Sequence, residues 1–232
     1  MKKIAVITGG GSGLGFCLSE ELLKQGFEIC LVGRTEEKLC EAQRKLTESY
    51  GARVQYAAGS ISDEAFVKKL FADLGEKDTY VQYLFNCAGT GQFGPAEQNT
   101  RAMVDTALDA SLIGLILMSS AAVAAMKEKG GTIVNIMSTA ALRGKANETI
   151  YCAAKWGARG FTEALKEAVK GTKTSVIGVY PGGMNTDFWS PECGMTLNRE
   201  KLMNPQKVAE VIVHAVLERK GMYVSDLTID RK

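Results

Sequence analysis

The fold is decided by the stretch Ile4-Ala5-Val6-Ile7-Thr8-Gly9-Gly10-Gly11-Ser12-Gly13-Leu14-Gly15, in which an apolar strand pattern runs directly into a glycine-rich turn. A helical pattern, Gly13–Gln25, follows at once. Glycines permit the tight turn, and a helix N-terminus presents free N–H groups to an anion such as a pyrophosphate. A plain loop is the alternative, but the strand before and the helix after favour a dinucleotide site. The predicted cofactor contacts in this turn are Gly9, Gly11, Ser12, Gly13, Leu14 and Gly15.

The rest of the chain alternates strand-like and helical patterns, which is typical of βαβ units wound on a parallel sheet. The predicted strands are Ile4–Thr8, Glu28–Gly33, Val54–Ala57, Tyr80–Asn86, Thr132–Met137, Ser175–Tyr180 and Met222–Val224. The predicted helices are Gly13–Gln25, Glu36–Tyr50, Asp63–Leu74, Asn99–Lys129, Glu148–Lys170 and Pro205–Arg219. We therefore expect an α/β fold, a doubly wound parallel seven-stranded sheet of Rossmann type with helices on both faces. Residues 1–232 are expected to form one domain, with a substrate lid at about 187–204.

Composition narrows the possible partners. The formal charge of the 232-residue chain is +2, and no block of like charges suggests nucleic-acid binding. Its six cysteines form no C-x-x-C pair or metal-ligand pattern, which indicates reduced core residues in a cytoplasmic protein without a metal site. The charge-free stretch from Ala110 to Met126 is shorter than the about 20 residues of a membrane span, so a buried helix or a subunit contact is expected instead.

The end of the second strand predicts the cofactor. An acidic side chain there binds the ribose of NAD, whereas an arginine accommodates the 2′-phosphate of NADP. The chain has Gly33-Arg34 and no acid at this tip. The planar guanidinium of Arg34 suits a phosphate, so we expect NADP(H) in preference to NAD(H). The alternative is that Arg34 is a solvated surface charge.

Tyr151 and Lys155 form the candidate catalytic pair. Their four-residue spacing on a predicted helix puts the phenol and the ammonium on one face. A nearby cation favours the phenolate, so we expect Lys155 to bring the pKa of Tyr151 closer to neutrality. Such a pair also occurs by chance on helix surfaces. Ser138 favours catalysis, because it follows the fifth strand at the carboxyl edge of the sheet, where ligands bind in this architecture.

Taken in order, these motifs identify a resemblance to the short-chain dehydrogenase/reductase family over nearly the whole chain. The matching segments are Thr8 to Gly15, Asn86-Cys87-Ala88-Gly89, Ser138, Tyr151 with Lys155, and Pro181-Gly182 with Thr186. The resemblance implies the strand order 3-2-1-4-5-6-7, Tyr151 as general acid/base, and Ser138 as the group that orients the substrate carbonyl. It also implies that Lys155 grips the nicotinamide ribose and that the protein is a homodimer or homotetramer. Further cofactor contacts implied are Asn86, Ala88, Gly89, Tyr151, Lys155, Pro181, Gly182, Met184 and Thr186.

Two positions depart from the family pattern. Ser111 replaces the usual asparagine of the proton relay to the lysine, and it is kept as a candidate catalytic residue. Ser60 and Ile61 stand where the family often places an aspartate against the adenine.

The predicted function is hydride transfer between NADP(H) and a small or medium carbonyl or alcohol substrate. The alternative is a non-catalytic NADP(H)-binding regulator of the same fold, which Ser111 alone favours. A sugar-nucleotide epimerase or dehydratase would need a larger substrate domain than the about 45 residues after Thr186 allow. His214, the only histidine, has no partner among the motifs and is not expected to act.

Overall fold

The computed structural model describes residues 2–51, 53–76, 79–190, 193–195, 197–218 and 221–231. Its centre is one seven-stranded sheet in the order β3-β2-β1-β4-β5-β6-β7, and every strand pair is parallel. The strands are β1 Lys2–Thr8, β2 Glu28–Gly33, β3 Val54–Ala58, β4 Thr79–Asn86, β5 Gly131–Ile136, β6 Thr174–Pro181 and β7 Asp226–Ile229. Ile4 to Ile7 are all fully buried, as a central strand covered on both faces requires. The predicted fold class and strand order are confirmed.

Among the described residues, seven α-helices surround the sheet. They are α1 Gly13–Lys24, α2 Glu36–Tyr50, α3 Glu64–Glu76, α4 Arg101–Leu108, α5 Gly114–Met126, α6 Thr149–Ala168 and α7 Pro205–Leu217. One apolar core contains residues of α1, α2 and α7, including Leu18 and Ile212. A second core contains residues of α3 and α5, including Leu70 and Met118. The carboxyl ends of the strands are thereby left at one open edge.

The long helix predicted over Asn99–Lys129 is interrupted. Between α4 and α5 lies a wider π-helical turn, Asp109–Ile113, which turns Ser111 into the protein interior, where it is fully buried. Such turns recur at functional sites. By length and composition the run Arg101–Met126 is apolar enough to cross a membrane, and 39% of its most apolar window is buried in the protein. That is weak evidence for a span, because core helices meet the same criterion.

The predicted position of the seventh strand is wrong. Met222 and Tyr223, which the sequence pattern placed in it, are 67% and 56% exposed. The strand instead runs from Asp226 to Ile229 and pairs with Gly178–Pro181. An edge strand needs only one buried face, so its alternating pattern is weaker than an apolar run such as Met222–Val224.

The described residues of the segment predicted to be a lid include the short 3-10 turns Asp187–Trp189 and Arg199–Lys201. A single parallel bridge between Met184 and Met203 holds its two ends together. Residues 191, 192 and 196 lie outside the described residues. The role of this segment as a lid, like the single-domain organisation, stays a prediction.

Candidate active site

The glycine-rich turn has the close contacts of a phosphate-binding loop. A Cβ on Gly15 would lie 2.4 Å from the carbonyl oxygen of Gly9, so only glycine lets α1 start this close to β1. Gly9 and Gly13 have positive φ angles of 68° and 53°. Ser12 occupies the N-cap of α1 but makes no side-chain cap hydrogen bond. The first N–H groups of α1 therefore face the adjoining cavity without a side-chain cap, which suits an anion.

A cavity of about 940 Å³ runs along the carboxyl edge of the sheet from this turn to Tyr151. Most of the predicted site residues line it. They are Gly9, Gly11, Ser12, Gly13, Leu14, Gly15, Arg34, Ser60, Ile61, Ala88, Gly89, Ser138, Tyr151, Lys155, Pro181, Gly182, Met184 and Thr186.

Asn86 and Ser111 are the two predicted site residues that do not line this cavity. The amide nitrogen of Asn86 donates to Ser119 Oγ and to Asn135 Oδ1, both at 2.9 Å. Asn86 thus ties β4 to β5 and α5. The adjoining Cys87 and Ala88 N–H groups donate to Thr8 Oγ1 at 3.0 and 3.1 Å, which fixes this segment against the glycine-rich turn.

Three candidate catalytic side chains converge at the far end of the cavity. Ser138 follows β5, and its Oγ accepts from the N–H of Ala140 at 3.1 Å. Tyr151 and Lys155 lie one turn apart on α6, and Tyr151 hydrogen-bonds Ser138. Lys155 Nζ donates to the carbonyl oxygen of Ile136 at 3.2 Å and lies 5.7 Å from the centre of the Tyr151 ring. The predicted juxtaposition of a serine, a phenol and a buried ammonium is therefore present.

The expected direction of the Tyr151 pKa shift is wrong in this structure. Burial raises the pKa of Tyr151 well above its usual value, and the hydrogen bond with Ser138 only partly opposes that rise. Lys155 donates to a backbone carbonyl instead of to the phenol, and desolvation of the buried phenol is the largest cause of the shift. Burial also lowers the pKa of Lys155 to about 8. Burial thus favours the protonated phenol of Tyr151 and weakens the hold of Lys155 on its proton.

Burial of Lys155 should lower the free energy of unfolding by an amount that depends on pH. Its folded pKa of about 8 lies below the unfolded value of about 10.4, so the unfolded chain binds more protons between those values. Stability therefore rises with pH across that window, and the cost is greatest below pH 8. We expect Lys155→Met to raise the free energy of unfolding by roughly 1–3 kcal/mol at pH 7, and this gain should shrink towards pH 10. Urea unfolding at both pH values measures it.

Lys166 provides the matched control on the same helix. Its side chain is only 9% exposed, but it pairs with Asp226 at 2.7 Å and Glu163 at 2.8 Å. Lys166→Met should therefore destabilise the protein. A loss of stability in Lys155→Met at pH 7 would contradict the argument from desolvation.

Ser111 lies behind the catalytic end of the cavity. A Cβ on Gly89 would lie 3.4 Å from both Ser111 Oγ and Lys155 Nζ, so both atoms border the same small space. Within the described residues, the buried Ser111 hydroxyl has no hydrogen-bond partner. It is thus available to a proton-carrying group beside Lys155.

Aromatic side chains form the wall next to Tyr151. The Phe93 ring lies 5.3 Å from Tyr151 and stacks on Trp189 at 5.4 Å, and Phe188 lies 5.6 Å from Tyr151. The N–H of Phe93 donates to the carbonyl of Cys193 at 2.9 Å, which joins this wall to the predicted lid. An apolar part of a substrate fits against these rings.

Lys38 and Glu148 are two of the cavity-lining residues that the sequence patterns did not predict. Lys38, four residues after Arg34 in the first turn of α2, lines the end of the cavity where Arg34 lies. A second cation in the first turn of the helix that follows Arg34 was a usable signal. Glu148 lines the other end and is buried. No signal marked Glu148, because its burial depends on the chain packed around it.

Similarity to known proteins shows the family of this chain. A family model described as short chain dehydrogenase matches residues 3–193. Sepiapterin reductase of Chlorobaculum tepidum is 28% identical over 243 residues, covering 99% of this chain and 96% of the relative. Levodione reductase of Leifsonia aquatica is 31% identical over 216 residues, covering 91% and 79%. A short-chain dehydrogenase/reductase of Vibrio parahaemolyticus of known structure is 33% identical, with a TM-score of 0.84 and coverage of 98% and 96%.

Proposed function

Because the chain belongs to the short-chain dehydrogenase family, we propose that it is an NADP(H)-dependent oxidoreductase acting on a carbonyl or alcohol carbon of a small or medium substrate. The observation that carries this proposal is the convergence of Ser138, Tyr151 and Lys155 at one end of a cavity whose other end is the glycine-rich turn. The reductive direction is supported by the names of the two curated relatives, both of which are reductases.

The residues present fit a dinucleotide. The missing Cβ atoms of Gly9 and Gly15 and the uncapped start of α1 leave room and N–H donors for a pyrophosphate. Ser60 and Ile61 line the part of the cavity that we assign to the adenine, and Pro181, Gly182, Met184 and Thr186 line the part that we assign to the nicotinamide. When bound, the reduced nicotinamide supplies the hydride.

In the proposed mechanism Tyr151 donates the proton. The Tyr151 hydroxyl and Ser138 Oγ both hydrogen-bond the substrate carbonyl oxygen, where negative charge develops during reduction. Burial keeps the phenol protonated until that charge appears. Lys155, whose pKa burial lowers to about 8, is the proposed source of the proton that restores the phenol, for which its Nζ must turn from the Ile136 carbonyl to which it donates in this structure. Ser111, whose hydroxyl borders the same small space as Lys155 Nζ, is proposed to take part in delivering the proton to Lys155.

NADP(H) is proposed in preference to NAD(H) because Arg34 and Lys38 line the cavity just past β2. Neither side chain forms an ion pair among the described residues, although Glu36 and Glu37 lie between them in the chain. Arg44 and Lys45, further along α2, pair with Glu41 and Glu48. The positive charge near β2 is therefore available to a 2′-phosphate.

We further propose a cytoplasmic homodimer or homotetramer. Ile113, next to α5, is 40% exposed and Trp156 on α6 is 46% exposed, so apolar surface remains on the helices that such an assembly would pair. Sedimentation velocity should give two or four times the mass of one chain, and a monomer at micromolar concentration would contradict the assembly. Cell fractionation tests the compartment.

The function is tested by titrating the purified protein with NADPH and NADH and then following nicotinamide absorbance with a panel of ketones and aldehydes. We expect tighter binding of NADPH and turnover of at least one carbonyl compound. Tight binding without turnover across the panel would favour the non-catalytic alternative, which the retained Ser138, Tyr151 and Lys155 oppose.

A further inference from the structure

Glu148 is a buried acid that the proposed mechanism does not use. It precedes α6 at the N-cap position, yet its side chain makes no cap hydrogen bond. It lines the cavity beside Tyr151, three residues further on, and its charge contributes to the raised pKa of Tyr151. The backbone carbonyl of Glu148 accepts from the N–H of Cys152 at 2.7 Å, which fixes Glu148 at the start of the helix that carries Tyr151. Glu148 therefore borders the end of the cavity where Tyr151 would hold a carbonyl group.

Among the residues that the structure describes, the carboxylate of Glu148 forms only a long ion pair, with Lys145. Lys145 Nζ lies 3.8 Å from Glu148 Oε2 and 3.4 Å from Thr139 Oγ1, and the two side chains are 30% and 11% exposed. A hydrogen bond between such groups spans about 2.7–3.2 Å, so 3.8 Å leaves both groups able to bond a third one. Lys145 and Thr139 also line the cavity.

The backbone holds Glu148 in this position. Asn147 has a φ of 60°, the left-handed conformation that asparagine adopts more readily than most residues. Its carbonyl oxygen accepts from the N–H of Gly94 at 2.8 Å. This bond ties the turn before Glu148 to the segment that carries Phe93, so the acid is held next to the aromatic wall.

Resting on the proposed reduction of a carbonyl compound, we propose that Glu148 and Lys145 select substrates with a hydroxyl group on the carbon next to the carbonyl. A hydroxyl both donates and accepts, so it can donate to Glu148 and accept from Lys145 at once. A substrate carboxylate in place of this hydroxyl would be repelled by the carboxylate of Glu148, and a substrate ammonium would be repelled by the ammonium of Lys145. The aromatic wall then holds the apolar remainder of an α-hydroxy ketone.

Three phenyl ketones that differ only beside the carbonyl test this selection with the wild-type protein and NADPH. They are 2-hydroxyacetophenone, propiophenone, in which a methyl replaces the hydroxyl, and phenylglyoxylate, which carries a carboxylate. A hydrogen bond to a charged group contributes about 1.5–3 kcal/mol, so we expect kcat/KM for the hydroxy ketone to exceed that for propiophenone about 10- to 100-fold. Phenylglyoxylate should be the poorest of the three.

Variants of Glu148 assign the selection to this side chain. Glu148→Leu should bring the ratio of kcat/KM for the hydroxy ketone to kcat/KM for propiophenone close to one. Glu148→Gln should give an intermediate ratio and a higher kcat/KM for phenylglyoxylate than the wild-type protein has. Glu97→Gln is the matched control, because it removes one negative charge from an exposed position outside the cavity. Glu97 lies two residues before Asn99, whose side chain donates to Thr149 at the start of α6. Unchanged NADPH affinity shows that each variant is folded.

The outcomes separate this inference from the function on which it rests. Equal kcat/KM for 2-hydroxyacetophenone and propiophenone in the wild-type protein would overturn the role of Glu148 and leave the reductase proposal intact. A preference for phenylglyoxylate would overturn it too, because Lys145 would then dominate. No turnover of any of the three or of the wider carbonyl panel would contradict the reductase proposal itself.

Discussion

Tyr151→Phe is expected to lower kcat/KM for carbonyl reduction by about 100- to 10,000-fold, the usual contribution of a positioned proton donor. Phenylalanine keeps the ring, which lies 5.3 Å from Phe93 and 5.6 Å from Phe188, so the aromatic wall should stay in place. The change removes the hydroxyl that hydrogen-bonds Ser138. NADPH affinity should change by no more than a few-fold. Steady-state kinetics and fluorescence titration of NADPH measure the two effects separately.

Tyr180→Phe is the matched control for this experiment. Tyr180 is also buried, but it hydrogen-bonds Asp226 away from the cavity. Its loss should leave kcat/KM within a few-fold of the wild-type value. Retention of more than a tenth of wild-type activity by Tyr151→Phe would show that another group supplies the proton.

The order of the motifs was enough to predict the architecture. Ile4 to Ile7 read as a fully buried strand, and the glycine-rich turn after it requires a strand and a helix in close contact. These features depend on local chemistry, namely apolar runs and backbone conformations that favour glycine. Ser138, Tyr151 and Lys155 followed because each lies next to a strand end or at a regular helical spacing.

The electrostatics of the site could not be predicted in the same way. The pKa of Tyr151 depends on how deeply the side chain is buried, and that burial comes from Phe93 and Phe188, which are distant in sequence. The orientation of Lys155 towards the Ile136 carbonyl depends on the packing of α6 against β5. Spacing indicates which residues share a face of a helix, but it does not indicate which of several acceptors a long side chain bonds.

The π-helical turn and Glu148 were missed for a related reason. The sequence Asp109–Ile113 has ordinary helical spacing, and the wider turn follows from packing, in which Gly114 lies so close to Ile61 that a Cβ would be 2.4 Å from Ile61 Cγ1. Glu148 resembles a solvated charge in the first turn of the predicted helix Glu148–Lys170 until the segment containing Gly94 is packed against Asn147. Both features arise from tertiary contacts that no local pattern records.

Arg34→Gln is expected to weaken NADPH binding by about 10- to 100-fold, because it removes a cation from the expected position of the 2′-phosphate. Hydrogen bonds to charged groups contribute about 1.5–3 kcal/mol, and each 1.4 kcal/mol is a tenfold change in Kd. NADH has no phosphate at that position, so its Kd should stay within about two-fold. The ratio of the two dissociation constants, measured by fluorescence titration, is therefore the decisive quantity.

Lys38→Met and Arg44→Gln are the two variants to compare with Arg34→Gln. Lys38 lines the same end of the cavity, so its loss should weaken NADPH binding by a smaller factor, because an ammonium lacks the bidentate geometry of a guanidinium. Arg44 lies on the same helix but pairs with Glu41 and Glu48, and its loss should leave both affinities unchanged.

Arg34 is exposed, so salt should screen its contribution, and the preference for NADPH should fall between 50 mM and 500 mM salt. A wild-type protein that binds NADH as tightly as NADPH would contradict the assignment, since Arg34 would then be only a solvated surface charge.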